Sequence, residues 1–423
     1  MKGTAGRVIV VGQGYVGLPL AVRAAEVGHE VLGFDVDKDR VDRLRRAESF
    51  IDDVSDAQLA AAAASGRYRA TDDPGELAGF GTAVVCVPTP LRDGAPDLSS
   101  VEHAARMLAP HVTRGSCLVL ESTTYPGTTE EVFVPILEAG SGLRAGPDFL
   151  VGYSPERIDP ANPSWGLHNT PKIVSGIDAA SAAVVRAFYD TVVESTVPAP
   201  SVREAELAKL LENTFRHVNI ALVNELAIYC HELGMDVWSV IDMAATKPFG
   251  FMPFSPGPGV GGHCLPIDPS YLSWKVRRAL GRTFRFVEIA NDVNDAMPGY
   301  VVSRVVEHLN RRRLAVNGSR VLLVGLSYKR NSGDARQSPA IAVARRLADL
   351  GADLRAVDPQ LRAGDIPPGV TLVPCSPDEF AAADVIVVLT DHDDIDWDLV
   401  AAHADRVLDT RNRLAHAAAV DRL

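Results

Sequence analysis

The residue most openly placed for chemistry is Cys264. It ends the run Pro256-Gly257-Pro258-Gly259-Val260-Gly261-Gly262-His263-Cys264, and Asp268 follows four residues later. Glycine lets a backbone approach a ligand closely and take positive φ at little cost, and proline stiffens the turns between. A cysteine displayed this way suits a nucleophile, because a thiolate attacks carbonyl carbon and its pKa falls beside cations or oriented amides. The plainer alternative is a surface turn with an unreactive cysteine. Asp268 is spaced to position water or take a proton. Lys209 and Asn213, four apart in an uninterrupted helical pattern, share one helix face. An ammonium there can stabilise an oxyanion.

A second signature lies near the N-terminus. The β-branched run Arg7-Val8-Ile9-Val10-Val11 passes into Gly12-Gln13-Gly14-Tyr15-Val16-Gly17. A helical pattern from Leu18 to Val27 closes at Gly28, and a strand from Glu30 to Phe34 ends at Asp35. The order strand, Gly-x-Gly-x-x-Gly, helix, strand, acid binds a dinucleotide, with pyrophosphate on the free amides of the helix N-terminus. Gly12, Gly14, Tyr15, Val16 and Gly17 are therefore the expected cradle, and Asp35 the acceptor for the adenosine ribose diol. An acid at that place repels a 2′-phosphate, so the cofactor is read as NAD. Arg40 either flanks the adenine ribose or is a solvated helix arginine.

These residues need a scaffold. A chain of 423 residues exceeds one ordinary core and should hold roughly two to four. A formal net charge of −12 argues against a nucleic-acid surface. No apolar run of about eighteen residues suggests a membrane span, and the first residues read as a strand rather than a leader. The five cysteines are scattered, odd in number and without ligand spacing. That composition predicts a reduced, cytoplasmic chain with no disulfide framework and no metal site.

Strand and helix patterns alternate onward. Strands over 82–87 and 117–121 end in Pro88-Thr89-Pro90 and in Ser122-Thr123-Thr124. Strand ends are where ligands meet a parallel sheet, so Pro88, Thr89 and Thr123 are expected at the cofactor. A strand over 149–153 leads to Ser154-Pro155-Glu156-Arg157, in which Glu156 is either a site acid or a solvated loop acid. From 204 to 233 one helical pattern runs without Pro or Gly, longer than an ordinary globular helix. Such a helix reads as a connector and a dimer surface. A second βαβ pattern begins at Arg320, and its turn, Gly325-Leu326-Ser327-Tyr328-Lys329, lacks the glycine triplet. Lys329, Asp334 and Arg336 make that region polar and partly cationic, as a nucleotide diphosphate requires. The fold class is α/β: two Rossmann-like doubly wound domains joined by a long central helix. The expected divisions are 1–200 for NAD, 201–310 for the helical block carrying the cysteine loop, and 311–423 for a nucleotide diphosphate.

NAD, a displayed thiol and a second nucleotide-type domain combine into one reaction. An alcohol is oxidised to an aldehyde, Cys264 traps it as a thiohemiacetal, a second oxidation gives a thioester, and water releases an acid.

The chain resembles the nucleotide-sugar 6-dehydrogenases, the UDP-glucose dehydrogenase family, over essentially its full length. The resemblance rests on 12–18, Val87-Pro88-Thr89-Pro90, Ser122-Thr123, Ser154-Pro155-Glu156, Ala205-Glu206-Leu207-Ala208-Lys209 with Asn213, Gly261-Gly262-His263-Cys264 with Asp268, and Lys329 with Gly333-Asp334-Ala335-Arg336. It implies that Cys264 is the nucleophile, that Lys209 and Asn213 hold the reacting oxygen or a water, and that Asp268 and Glu156 move protons. It implies Thr123 near the nicotinamide and Arg336 reaching the cofactor. The substrate contacts expected are Arg157 in the Glu156 loop, Phe254, Pro256, Gly257, Gly259, Gly261 and Gly262 around the sugar nucleotide, and Lys329 from the C-terminal domain. Lys247 is the cation a neighbouring subunit either offers or does not.

Two departures matter. After the family's Pro-Glu come Phe-Leu and a second acid four residues beyond the first, whereas Glu156 is followed here by Arg157-Ile158-Asp159-Pro160, so Asp159 either replaces that acid or does not. The cysteine loop reads Gly-Gly-His-Cys and Leu-Pro-Ile-Asp in place of Gly-Gly-Ser-Cys and Phe-Pro-Lys-Asp. The two cysteine-loop changes, together with Thr246 to Phe254, resemble the branch that oxidises UDP-N-acetylhexosamines. The expected substrate is UDP-N-acetylglucosamine, with UDP-N-acetylmannosamine and UDP- or dTDP-glucose as alternatives, in a homodimer formed by the central helix. An NAD sensor without turnover, or a dehydrogenase that stops at the aldehyde, are the competing readings.

Overall fold

A computed structural model describes residues 6–51, 53–158, 162, 164–262, 265–361, 364, 366–414, 417 and 419–423. The chain forms two compact units, Met1–Glu212 with Ser270–Arg282, and Asn213–Pro269 with Thr283–Leu423.

The first unit holds β1 (Arg7–Val11), β2 (Val31–Phe34), β3 (Tyr68–Thr71), β4 (Phe80–Val85), the short ribbon β5 (Leu91–Arg92) and β6 (Ala95–Pro96), β7 (Cys117–Leu120), β8 (Leu150–Tyr153), β9 (Lys172–Gly176) and β10 (Thr196–Pro198). Apart from the ribbon they form one sheet in the order β10-β9-β8-β7-β4-β1-β2-β3. Alternation along a strand divides the side chains between two cores. Val8 and Val10 enter one, Ile9 and Val11 the other. The strand order reverses between β1 and β4, the crevice where ligands meet such sheets. Every pair in this sheet is parallel except β8 with β9.

The second unit repeats the plan with β11 (Arg320–Val324), β12 (Asp353–Val357), β13 (Val370–Leu372), β14 (Val385–Val388), β15 (Val407–Asp409) and β16 (Asp421–Arg422). Their order is β13-β12-β11-β14-β15-β16, and all pairs are parallel. Val321 and Leu323 fill one core, Leu322 and Val324 the other. The two doubly wound folds expected from sequence are both present.

The helix Val202–Glu232 links them as one 31-residue element, about 46 Å long at 1.5 Å per residue. The division between the units falls inside it, at Glu212 and Asn213. A second helix, Asp268–Leu280, follows the Cys264 loop and is also shared.

Candidate active site

In the first unit the three glycines of the fingerprint have three different neighbourhoods. Gly12 has φ +89°, and a Cβ there would sit 2.3 Å from the Cys86 carbonyl oxygen. A Cβ on Gly17 would lie 1.8 Å from the Gly12 oxygen, so only glycine lets the helix Gly17–Glu26 close on the strand. A Cβ on Gly14 would meet nothing within 4 Å. The middle glycine faces open space, as a backbone must where pyrophosphate approaches it. Tyr15 is exposed and Val16 half-buried beside it.

Asp35 anchors this loop. It is buried, its Oδ2 accepts from the Gln13 amide at 2.8 Å and from Arg40 Nη1 at 2.9 Å, and its Oδ1 accepts from the Asp37 amide at 3.0 Å. A carboxylate has about four acceptor sites, so Oδ1 keeps capacity for a ribose hydroxyl. Arg40 is thus the ion-pair partner of Asp35, with its guanidinium 5.1 Å from the Phe50 ring centre. Sequence reasoning missed Gln13. Its fully buried amide donates to the Val10 carbonyl and accepts from Tyr68, beneath the glycine turn.

The register aligns Val11 with Val85, Val85 with Leu120 and Leu120 with Tyr153. The loops leaving β1, β4, β7 and β8 therefore emerge side by side, and they bring Gly12, Pro88, Thr89, Thr123, Glu156 and Arg157 to one end of the sheet. The Ser122 hydroxyl ties two of them, accepting from the Val87 amide at 2.9 Å and donating to the Val87 carbonyl at 2.8 Å. Tyr271, fully buried, donates to the carbonyl of Thr89 at 2.8 Å. Arg157 pairs with Glu212 at 2.7 Å.

Lys209 is buried on the long helix and makes no hydrogen bond or ion pair among the described residues. A buried ammonium without a protein partner is costly unless a ligand supplies one. One turn earlier Glu206, fully buried, accepts from the Gly127 amide at 2.6 Å and from the Thr129 amide and hydroxyl at 2.9 and 2.7 Å. It fixes the helix to the loop that carries Thr123. Burial pushes its carboxyl up to about 7, against the pull of those donors.

In the second unit Asn213 Nδ2 donates to Asp268 Oδ2 at 2.5 Å, and both side chains are buried. His263 and Cys264 lie outside the described residues. The glycines before them are held by specific neighbours. The Gly257 amide donates to Asn224 Oδ1 at 2.9 Å, and a Cβ on Gly257 would sit 2.7 Å from Arg411 Nη1. A Cβ on Gly261 or Gly262 would strike Tyr328, at 2.9 and 2.7 Å. Pro256 is buried, and Gly259 has φ +132° against Pro339. Arg411 is the residue sequence reasoning missed here. Its Nε donates to the Leu389 carbonyl, and burial lowers its pKa. Phe254 stacks edge-on with Phe215 at 5.7 Å. Lys247 is exposed, 5.1 Å over the Phe249 ring. Lys329 is half-buried, and Arg336 forms a two-pronged pair with Asp334 at 2.9 and 2.6 Å.

Three successive segments match one family. Residues 6–193 match the NAD binding domain of the UDP-glucose/GDP-mannose dehydrogenase family, 203–296 its central domain and 322–416 its UDP binding domain. The chain belongs to that family. It is an NAD-dependent nucleotide-sugar 6-dehydrogenase. It is similar to a UDP-N-acetyl-D-glucosamine 6-dehydrogenase of Pseudomonas aeruginosa, 37% identical over 91% of this chain and 90% of that one. It is also similar to an NDP-N-acetyl-D-galactosaminuronic acid dehydrogenase of Ralstonia solanacearum, 35% identical over 95% of each. The solved UDP-D-ManNAc dehydrogenase of Pyrococcus horikoshii superposes with a TM-score of 0.87 at 32% identity, covering 96% of this chain and 95% of that one.

The two nucleotide units of the dehydrogenase differ at one equivalent acid. Asp358 ends β12 as Asp35 ends β2, but it accepts from the Leu326, Ser327, Gln360 and Leu361 amides, the Ser327 hydroxyl and His392. Burial pushes its carboxyl up, yet His392 and these amides outweigh burial and hold it at about 2. All its acceptor sites are spent on protein donors, so Asp358 is not free for a ribose diol. Asp35, in the cofactor cradle of the first unit, is.

Proposed function

We propose that the enzyme oxidises C6 of a UDP-N-acetylhexosamine, UDP-N-acetylglucosamine first, to the uronic acid through a thioester on Cys264. The observation that carries the chemistry is the buried Asn213–Asp268 pair at 2.5 Å, its aspartate four residues beyond the cysteine and its asparagine one helical turn from Lys209, which is unpaired among the described residues. Bound NAD accepts the electrons of both oxidation steps. Lys209 stabilises the oxygen of the reacting carbon as its charge develops, and Asn213 fixes the direction of Asp268. Cys264 as thiolate forms a C–S bond to the C6 aldehyde, giving a thiohemiacetal, then a thioester. Glu156 takes a proton from the attacking water, and Asp268 protonates or orients the departing groups. Gly257, Gly259, Gly261 and Gly262 let the loop backbone approach the sugar nucleotide, while Lys247, Phe254 and Lys329 complete its contacts. Thr123 and Arg336 contact the cofactor.

The N-acetylhexosamine assignment is supported by the His263-Cys264 and Leu265-Pro266-Ile267-Asp268 sequence and by relatives named for such sugars. The test is NADH release over UDP-N-acetylglucosamine, UDP-N-acetylmannosamine, UDP-N-acetylgalactosamine, UDP-glucose and dTDP-glucose. UDP-N-acetylglucosamine should exceed the others by about tenfold or more in kcat/KM. A preference for UDP-glucose would overturn the assignment.

A homodimer is part of the same reading. Leu207, Leu211, Phe215, Leu222 and Tyr229 are all exposed, at spacings of four and seven along one helix face. An apolar stripe of that length in water calls for a partner, and a second copy offers the same stripe. The functional divisions remain 1–200, 201–310 and 311–423, and the enzyme works in the cytoplasm. Among the described residues no helix is long and apolar enough to cross a membrane.

A further inference from the structure

The one antiparallel pair of the first sheet has a chemical consequence. With Tyr153 opposite Ser175, β9 runs back so that its first residue, Lys172, lies beyond the end of β8, beside the Glu156 loop. In a parallel strand that residue would sit at the far edge of the sheet. Lys172 is buried, its Nζ contacts Glu121 Oε1, and it lies 3.7 Å from Glu156 Oε2. Tyr189 donates to Glu121 Oε2 at 2.5 Å and lies under the ammonium, 5.3 Å from ring centre to Nζ. Glu121 thereby has a donor on each oxygen. Glu156 Oε1 accepts from the Ile158 amide, and its Oε2 is buried with no hydrogen-bond partner among the described residues. Among the described residues the remaining titratable neighbour is the buried Cys86 thiol, which burial pushes well up, so it stays neutral.

A lysine needed only to balance Glu121 would not require a second carboxylate within 4 Å, since like charges repel. We infer that Lys172 is a positioning residue: its ammonium fixes Glu156 in place to take the proton of the water that attacks the thioester. Burial opposes the charge on Lys172, but Glu121 and Glu156 together raise its pKa, so the cation persists. In the assisted step a C–O bond forms from water to the acyl carbon and the C–S bond breaks. The water's proton passes to Glu156, Cys264 leaves as thiolate, and nothing is oxidised. The inference rests on the thioester reading above.

Lys172→Met alone would leave Glu121 buried and unpaired, which can prevent folding. The test therefore uses Glu121→Gln/Lys172→Met together, with Lys172→Arg as the conservative replacement. Full-length enzyme is mixed with NAD and UDP-N-acetylglucosamine, and NADH bursts, steady-state rates and intact protein mass are recorded. The double variant should release a burst of two NADH per subunit, then turn over about 100-fold more slowly, with an acyl adduct in the mass spectrum. Lys172→Arg should recover most of the rate, and NAD affinity should not move. A double variant with wild-type turnover, or one that loses the first NADH and forms no adduct, would overturn the inference while wild-type enzyme still yields two NADH and acid. A wild type that yields one NADH and free aldehyde would sink the thioester reading and this inference with it.

Discussion

Asn213 Nδ2 donates to Asp268 Oδ2 at 2.5 Å although 55 residues separate them. One lies on the helix Val202–Glu232, and the other opens the helix that follows the Cys264 loop. An amide donor orients a buried carboxylate without cancelling its charge. The pair sets the direction of an acid four residues beyond the cysteine in sequence.

Asn213→Leu should keep the volume and remove the donor. A hydrogen bond to a charged group contributes about 1.5–3 kcal/mol, so kcat should fall about 10- to 150-fold. NAD affinity should stay unchanged, because the cradle of Gly12, Gly14 and Asp35 is in the other unit. Steady-state kinetics and a cofactor titration read the two effects separately.

The glycine cradle predicts two different failures. Gly14→Ala puts a methyl into open space, so the fold should keep its melting temperature within a few degrees while NAD binding weakens about tenfold or more. Gly17→Ala puts a methyl 1.8 Å from the Gly12 oxygen, so stability should fall along with binding. Thermal melts and calorimetric titration of both variants check this.

Glu206 predicts a pH dependence of stability. Its folded-state pKa of about 7 lies above the unfolded value of about 4.3. The folded form holds the proton more tightly, so this stabilisation is complete below about pH 4.3 and is lost as pH rises through 7. The difference corresponds to at most about 3–4 kcal/mol. Glu206→Gln stays neutral throughout. Across pH 5 to 8, wild-type Tm should fall relative to that variant; a constant difference would contradict the assignment.

The exposed stripe on the long helix predicts the assembly. Leu211→Glu with Leu222→Glu should convert a dimer to monomers in light scattering, since each places a charge on the apolar stripe. A wild-type chain that is monomeric at micromolar concentration would remove the proposed interface.

The local features were readable in sequence and the convergent ones were not. Val8 to Val11 followed by Gly12-Gln13-Gly14-Tyr15-Val16-Gly17 specifies its own strand, turn and helix, because the period and the turn chemistry are contained within those residues. The helix read as 204–233 lies at Val202–Glu232, since nothing within it breaks the pattern. Lys172–Gly176 went unread as a strand: five residues opening on a charge carry little alternation. Its antiparallel run, which places Lys172 beside Glu156, depends on the pairing of Tyr153 with Ser175, distant in sequence. Likewise the grip of Glu206 on Gly127 and Thr129, and the guanidinium of Arg411 against Gly257, join residues that only folding brings together. Asp35 and Asp358 both follow a strand, and only their donors reveal that one is open to a ribose and the other is not.

The central claim is that Cys264 carries the sugar carbon through both oxidations, and counting products against that thiol tests it most directly. Wild-type enzyme should release two NADH for each uronic acid formed, and Cys264→Ala should bind NAD normally yet form no acid. Acid production at the wild-type rate by Cys264→Ala, with two NADH per sugar, would contradict the account.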